Sequence, residues 1–383
     1  MSGNILSSIT MLGGGFTGYV IPFLFVLTIV VFFHELGHFL VARWCGIKVL
    51  VFSIGFGPEL IGFNDKRGTR WKLSAVPLGG YVKFFGDENA ASVPDSAAGA
   101  TMSEADRKVS FQHQSVPKRA AVVAAGPIAN FILAVVIFAG IAMIYGKQTM
   151  SARVDMVEPD SVAAAAGFKP HDLVVAIDGS KIDDFSELKR IVSESAGKPL
   201  EFQIDRGGSV ITLNATPKLR EIKDRFGNVY KIGMLGIQGM SAAEGVKTEK
   251  VAPFEALVIG VDKTWFIIRH TMSWIGGFVA GRESADQLGG PLRIAQLSGQ
   301  VASVSFSLLI DLAAAMSVSI GLLNLFPIPL LDGGHLLFYG IEAARGRPLS
   351  ERAQEVGFRI GLAIVVMLMV FATFNDIVRL ATS

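Results

Sequence analysis

His34-Glu35-Leu36-Gly37-His38 is the densest chemistry in the chain. Two histidines four residues apart lie on one face of a helix and can share one zinc ion. The glutamate between them sits where it can take a proton from a water polarised by that ion. The motif falls inside an apolar run, where an ionisable group costs about 3 kcal/mol and marks function. The alternative, polar contacts between packed helices, does not require this spacing.

A catalytic zinc usually has three protein ligands and a water. Cys45 is the sole cysteine, so no Cys-rich site and no intrachain disulfide can form, and the third ligand must be histidine or carboxylate. His113, His171, His270 and His335 show no ligand spacing. The best carboxylate is Asp332, in the run Asn324-Leu-Phe-Pro327-Ile-Pro329-Leu-Leu-Asp332-Gly333-Gly334. Pro327 and Pro329 remove amide donors and break a helix, and Gly333 and Gly334 permit tight turns. A broken helix at membrane depth is tolerated only where it lines a cavity or is buried in protein. The alternative for Asp332 is a turn aspartate at a helix end.

The elements that must position these groups follow from composition. Of 383 residues 51% are apolar and 18% charged, and the mean hydropathy is +0.48. That excludes a disordered chain, and a net charge of +2 gives no field for nucleic acid. Four segments are long and apolar enough to span a bilayer: 19–41, 120–144, 304–327 and 358–374. A fifth, 254–280, carries Asp262, Lys263, Arg269 and His270 among its apolar residues and reads as an interfacial amphipathic helix or a covering helix. The N-terminus has no basic region of the kind a cleavable signal carries. No Lys or Arg precedes Tyr19, whereas Arg43, Lys48, Lys66, Arg67 and several others follow the first span. The positive-inside rule therefore makes the first loop cytoplasmic, with both termini and the region after the second span outside.

Residues 49–84 read as a β-hairpin turning at Asn64–Gly68, with Gly55, Gly57, Gly79 and Gly80 allowing sharp bends. Residues 151–218 change character. Strands are expected at 173–177, 200–204 and 210–213, a turn at Asp178-Gly179, and a helix over 185–192 capped by Asp183 or Asp184. This stretch resembles a PDZ domain of the bacterial protease type, which binds peptides by strand addition; the alternative is a spacer with a filled groove.

Taken together, HExxH in the first span, the proline-broken run ending at Asp332 and the PDZ-like insert resemble the site-2 protease family. The likeness is to its bacterial regulator-of-sigma-E protease branch and extends over nearly the whole chain. The resemblance implies one zinc ion on His34, His38 and Asp332, Glu35 as catalytic base, and Asn324 beside the substrate or its oxyanion, with Pro327, Gly55, Gly57, Gly79 and Gly80 as substrate-contact candidates. Gly126-Pro127-Ile128-Ala129-Asn130 is similar to the family's GPxxN motif; Gly126 would let helices approach, and Asn130 would be a buried polar contact, not a ligand. The first-loop β-element would offer an open edge to an unwound substrate. Well-studied members carry two PDZ domains, whereas 148–250 has room for one.

The expected fold is a polytopic α-helical membrane protein of four transmembrane helices, with a cytoplasmic-side β-hairpin and an inserted periplasmic α+β PDZ-like domain. Its parts are an N-terminal membrane domain (1–146), the PDZ-like domain (147–220), a connector with a membrane-surface helix (221–303) and a C-terminal membrane domain (304–383). The expected function is zinc-dependent endopeptidase action on transmembrane segments of single-span proteins in a bacterial inner membrane, usually after a first-site cut. Partners would be those substrates, the lipid bilayer and a peptide C-terminus at the PDZ-like domain, with no nucleic acid. The alternatives are a membrane-anchored zinc protease of soluble substrates and a non-catalytic PDZ or zinc membrane protein.

Overall fold

The computed structural model describes residues 3–87, 102–182, 184–223, 229–239, 246–281 and 289–382. The chain divides into two compact units, Met1–Ile141 with Pro253–Ser383, and Ala142–Ala252.

The first unit is built on four long helices: α1 (Gly3–Trp44), α3 (Val116–Tyr145), α8 (Phe306–Asn324) and α10 (Glu351–Thr382). Their apolar stretches, Thr17–Trp44, Val116–Tyr145, Phe306–Asn324 and Arg352–Arg379, are long enough to cross a membrane, as the four sequence segments anticipate. Such helices are apolar nearly all round because lipid, not water, faces their outer sides. A six-residue helix, α2 (Glu104–Val109), precedes α3.

Strands β1 (Val49–Asn64) and β2 (Arg70–Phe84) form the expected antiparallel hairpin, turning at residues 65–69. It is more folded than the sequence suggests. Each strand bends, so that Phe52 faces both Trp71 and Val82 while Ile61 faces Leu73. Four segments result, in the order 59–64, 70–74, 51–54, 80–84; the two outer pairs run antiparallel, and the central pair runs parallel, Val51 facing Arg70 and Ile54 facing Leu73. Gly55 and Gly57 turn β1 with φ of 86° and 85°, values that glycine adopts at little cost. Phe52 stacks on Trp71 at 4.2 Å and meets Phe39 of α1 at 5.5 Å. With Phe84, Phe111, Val122 and Tyr339 these rings make a core that fixes the sheet against α1 and α3.

Helix α6 (Pro253–Val279) is a covering helix. A Cβ at Gly260 would overlap the Val135 carbonyl of α3. Ile267 and Ile268 pack with Phe138, Ala314 and Val318, and Lys263 lies 3.7 Å from Asp311. Helix α7 (Pro291–Val304) lies within the stretch read from sequence as connector. Its Gly299 packs on Gly18 and Tyr19 of α1. The buried Asp376 of α10 accepts the Gly290 and Arg293 amides at 3.0 and 3.1 Å, which caps the α7 N-terminus from another helix.

The second unit holds β3 (Lys147–Met150), β4 (Val154–Val157), α4 (Val162–Ala166), β5 (Leu173–Ile177), β6 (Ser180–Lys181), α5 (Phe185–Glu194), β7 (Leu200–Arg206), β8 (Ser209–Ala215), β9 (Lys218–Lys223), β10 (Val229–Met234), β11 (Ile237–Gly239) and β12 (Val246–Glu249). The main sheet runs β6-β5-β7-β8. Asp184 caps α5 through the Ser186 amide at 2.6 Å; Asp183, the other candidate, lies outside the described residues. The unit continues past position 220, where the sequence reading ends the domain. Leu235 belongs to its core, and Ile237 pairs with Val157. A boundary set by composition misses this, because the closing strands are short and polar. Asp172 is fully buried and takes both nitrogens of the Arg206 fork at 2.7 Å. Burial raises its carboxyl pKa, but the hydrogen bonds from Arg206 and the Lys169 amide, with the charges of Arg206 and Lys169, together outweigh that and hold it below the usual value.

Candidate metal centre

His34 and His38 project from one face of α1, as their spacing requires. The third group arrives on α9 (Asp332–Arg345), whose first residue is Asp332. His34 Nε2 and His38 Nε2 are 3.2 Å apart, and Asp332 Oδ2 lies 3.1 Å from the first and 3.6 Å from the second. A tetrahedral zinc site with bonds of about 2.0 Å has ligand atoms about 3.3 Å apart, so the three atoms fit it. Asp332 Oδ2 is buried without a well-formed hydrogen bond, and such an orphan normally has an explanation such as an ion. The chemistry of the donors, two imidazoles and a carboxylate, also suits zinc.

The outer nitrogens of the two rings are held differently. His38 Nδ1 donates to the Val122 carbonyl of α3 at 2.8 Å, which leaves its Nε2 bare. Pro127 lies inside α3; lacking an N–H, it leaves the Val123 carbonyl without its i+4 donor, one residue from the Val122 carbonyl that His38 uses. His34 Nδ1 faces the Asn130 amide nitrogen at 3.2 Å, while the buried Asn130 Oδ1 has no partner. Turning the amide over lets Oδ1 accept the Nδ1–H and leaves His34 Nε2 bare as well; which end is oxygen is decided by the hydrogen-bond network. Ser317 of α8 donates to the Asn130 carbonyl at 2.8 Å and fixes that turn of α3.

Glycines make the assembly possible. A Cβ at Gly126 would overlap both imidazoles, and one at Gly37 would overlap the Ala125 carbonyl. Gly126 therefore does more than admit a helix: it opens space for the two rings themselves. Gly333 and Gly334 are helical, not turn residues as expected from the sequence. Their missing side chains let residues 325–331 fold back over α9, since Cβ atoms there would strike the carbonyls of Leu325, Phe326 and Ile328. That return loop is strained, with Leu330 at φ 114°, a conformation that L-residues hold only when their surroundings impose it. Gly361 of α10 packs against the Pro329 carbonyl and holds the loop from its other side.

Asn324, the last residue of α8, brings its amide nitrogen 3.5 Å from His34 Nε2. Of the four loop glycines only Gly80 reaches the centre: a Cβ on it would lie 3.0 Å from Glu35 Cγ and 2.9 Å from Val31. Gly55, Gly57 and Gly79 instead serve bends of the sheet, Gly79 lying under the Phe56 ring. Nothing in the described contacts brings Pro327 to the cluster. Two elements of the arrangement had no signature in the sequence. The Val122 carbonyl is a backbone group, and the grip of Gly361 on Pro329 joins residues 32 positions apart.

The sequence profile of peptidase family M50 matches residues 22–368. A protein of Agrobacterium fabrum with a provisional zinc metalloprotease description is 53% identical over 372 residues, covering 97% of this chain and 99% of its own. The metalloprotease MmpA of Caulobacter vibrioides is 40% identical over 387 residues, covering 95% and 96%. Among solved structures, the PDZ domain of an SdrC-like protein from Listeria monocytogenes aligns with 21% of this chain and 82% of its own at 22% identity, with a TM-score of 0.17.

Proposed function

This chain belongs to peptidase family M50, the site-2 protease family, and is a zinc metalloprotease; from that premise we propose that it cleaves peptide bonds within transmembrane segments of single-span membrane proteins. The observation that carries the reading is the depth of the metal cluster. His34, Glu35 and His38 lie within the apolar stretch Thr17–Trp44, so a bond cut there is one that reaches membrane depth.

In this reading His34, His38 and Asp332 hold the zinc. When bound, the ion supplies Lewis acidity toward the scissile carbonyl and brings the pKa of water close to neutrality. Glu35 takes the proton of the attacking water at its carboxylate and delivers it to the amide nitrogen as the C–N bond breaks. Asn324, at the end of α8, donates its amide N–H to the carbonyl oxygen as charge develops there. A substrate helix keeps its carbonyls in i to i−4 hydrogen bonds and must first unwind. Segment 80–84 is at the edge of the folded sheet and passes Glu35 at Gly80. An unwound substrate strand laid along that edge gains backbone hydrogen bonds beside the base. The zinc site faces the cytoplasmic side of a bacterial inner membrane, with the termini and the PDZ-like unit in the periplasm, and substrates arrive after a first cut outside.

The test is a map of cleavage sites. Purified protein in liposomes, given single-span substrates and a soluble unfolded protein, is expected to yield new ends inside the apolar segment. New ends confined to soluble regions would overturn the proposal in favour of a membrane-anchored protease.

A further inference from the structure

The first polar loop returns to the membrane through α2 and residues 110–115, and it carries cations that the metal centre does not use. Arg107, Lys108, His113 and Lys118 line one open, shallow surface cavity together with Glu104 and Gln114. Glu104 is the single carboxylate of that lining, and it lies 3.5 Å from Lys108. Lys118 donates to neutral oxygens, the Cys45 carbonyl at 3.3 Å and Gln114 Oε1 at 3.1 Å. His113 faces the Ser110 hydroxyl at 3.1 Å. The Arg107 guanidinium has no hydrogen bond or ion pair among the described residues. Setting Arg107, Lys108 and Lys118 against Glu104 leaves two positive charges without a counter-charge in the cavity.

The level of this cavity is fixed by the fold. The spanning helix α3 begins at Val116, with its apolar run starting at Ala120, and the spanning helix α1 ends at Trp44. Lys118 bridges the two helix ends through the Cys45 carbonyl. The Lys48 amide donates to the Val109 carbonyl at 3.0 Å, which ties the end of α2 to the start of the sheet. Trp44 is 90% exposed, an indole at the end of a spanning helix left uncovered among the described residues. Tryptophan in that position is suited to the headgroup level of a bilayer.

We infer that this cavity binds the phosphate of an anionic phospholipid from the leaflet at whose surface it lies. Arg107 offers a planar fork to phosphate oxygens, and Lys118 adds a point charge already placed by its two neutral acceptors. The Trp44 ring packs beside the glycerol and upper acyl region. A lipid is favoured over free phosphate because the surplus charge is built at the mouth of two spans, one of which ends in an exposed indole one residue before the carbonyl that Lys118 holds. The inference needs the membrane spans alone, and it stands whichever side of the membrane the loop faces.

The experiment uses the full-length protein in micelles of a neutral detergent, titrated with phosphatidylglycerol or phosphatidylcholine and read by native mass spectrometry. A surplus basic residue near a surface favours an anionic headgroup by about fivefold, so two predict a preference of about 25-fold. Arg107→Gln combined with Lys118→Gln is expected to bring the preference close to parity while zinc content stays unchanged. Equal retention of the two lipids by the unaltered protein overturns the inference, as does an unchanged preference in the double variant. Displacement of the lipid by an equal concentration of inorganic phosphate reassigns the cavity to free phosphate and also overturns it. Should the variant fail to fold, a photoactivatable phosphatidylglycerol is applied to the unaltered protein. Adducts on residues 104–118 or Trp44 support the site, and adducts confined to other regions refute it.

Discussion

Glu35, next to His34 on α1, and Asn130, which meets His34 from α3, separate two kinds of contribution. Glu35 follows His34 directly and touches Gly80, so its proposed work is proton transfer, not metal binding. Glu35→Gln keeps the shape and removes the base. Peptide hydrolysis is expected to fall by about 10²- to 10⁴-fold, with zinc stoichiometry by atomic emission unchanged. Asn130 acts at one remove, by orienting His34. Loss of such an outer-shell partner typically costs about 10- to 100-fold in metal affinity. Asn130→Ala is expected to release zinc faster to a chelator, and Asn130→Asp, which keeps an acceptor oxygen, to restore most of the difference. Equal chelator rates for the alanine variant and the unaltered protein would remove Asn130 from the metal site. The chemistry of Glu35 is legible in the sequence, since it depends on a spacing of one to four residues. That of Asn130 is legible only as a motif, because its partner is 96 positions away.

At the scale of elements the centre depends on helices approaching more closely than side chains usually allow. Gly37 and Gly126 are the contact between α1 and α3. A methyl group at Gly126 meets both imidazoles and has nowhere to go, so Gly126→Ala is expected to cost about 1 to 3 kcal/mol and to lower zinc occupancy, read by thermal unfolding and metal analysis. The sheet is joined to α1 by a second device. Asp65, in the hairpin turn, accepts from Arg43 at the end of α1, from the Trp71 indole at 3.2 Å and from the Arg67 and Thr69 amides at 2.9 and 3.0 Å. Burial raises its carboxyl pKa, yet these donors prevail and hold it at about 2. An acid whose folded value is depressed stabilises the fold above its ordinary value near 4, and that share is lost as pH falls through about 2. Asp65→Asn is therefore expected to flatten the dependence of melting temperature on pH between about 4 and 2, and an unaltered acid limb would show that the turn carries no such linkage. The sequence discloses the turn by its polar residues. It does not disclose the double bend that lays β1 and β2 out as four segments, because a bend at Gly55 and one at Gly79 have to match across the sheet.

At the scale of the whole molecule the chain carries a second compact unit, Ala142–Ala252, between the two halves of a helical one. Lys147 pairs with Glu249 and Met150 with Val246, so the insert leaves and returns through one antiparallel ladder, whose strands are about 5 Å apart. A short Gly-Ser linker can join its ends. Replacing 151–245 by such a linker is expected to leave zinc content within about twofold, because His34, His38, Asp332 and the core around Phe39 and Phe52 all belong to the first unit. In the proposed function the same replacement relaxes the requirement for a first cut, read as cleavage of uncut beside pre-cut substrate; an unchanged ratio would deny the insert any part in substrate selection. The amino-acid sequence by itself determined the four apolar spans, the insert between them, the zinc-type motif and the carboxylate most suited to complete it. Each of these rests on local chemistry, on hydropathy summed over about 20 residues or on a spacing within one helical turn. Only the tertiary structure decided that Asp332 meets histidines nearly 300 positions earlier, that Gly126 gives up its side chain to two imidazoles, and that Gly80 alone of the four loop glycines stands beside Glu35. Those are facts of packing between distant segments, where a missing Cβ or a single backbone carbonyl settles the geometry, and neither leaves a periodicity to read.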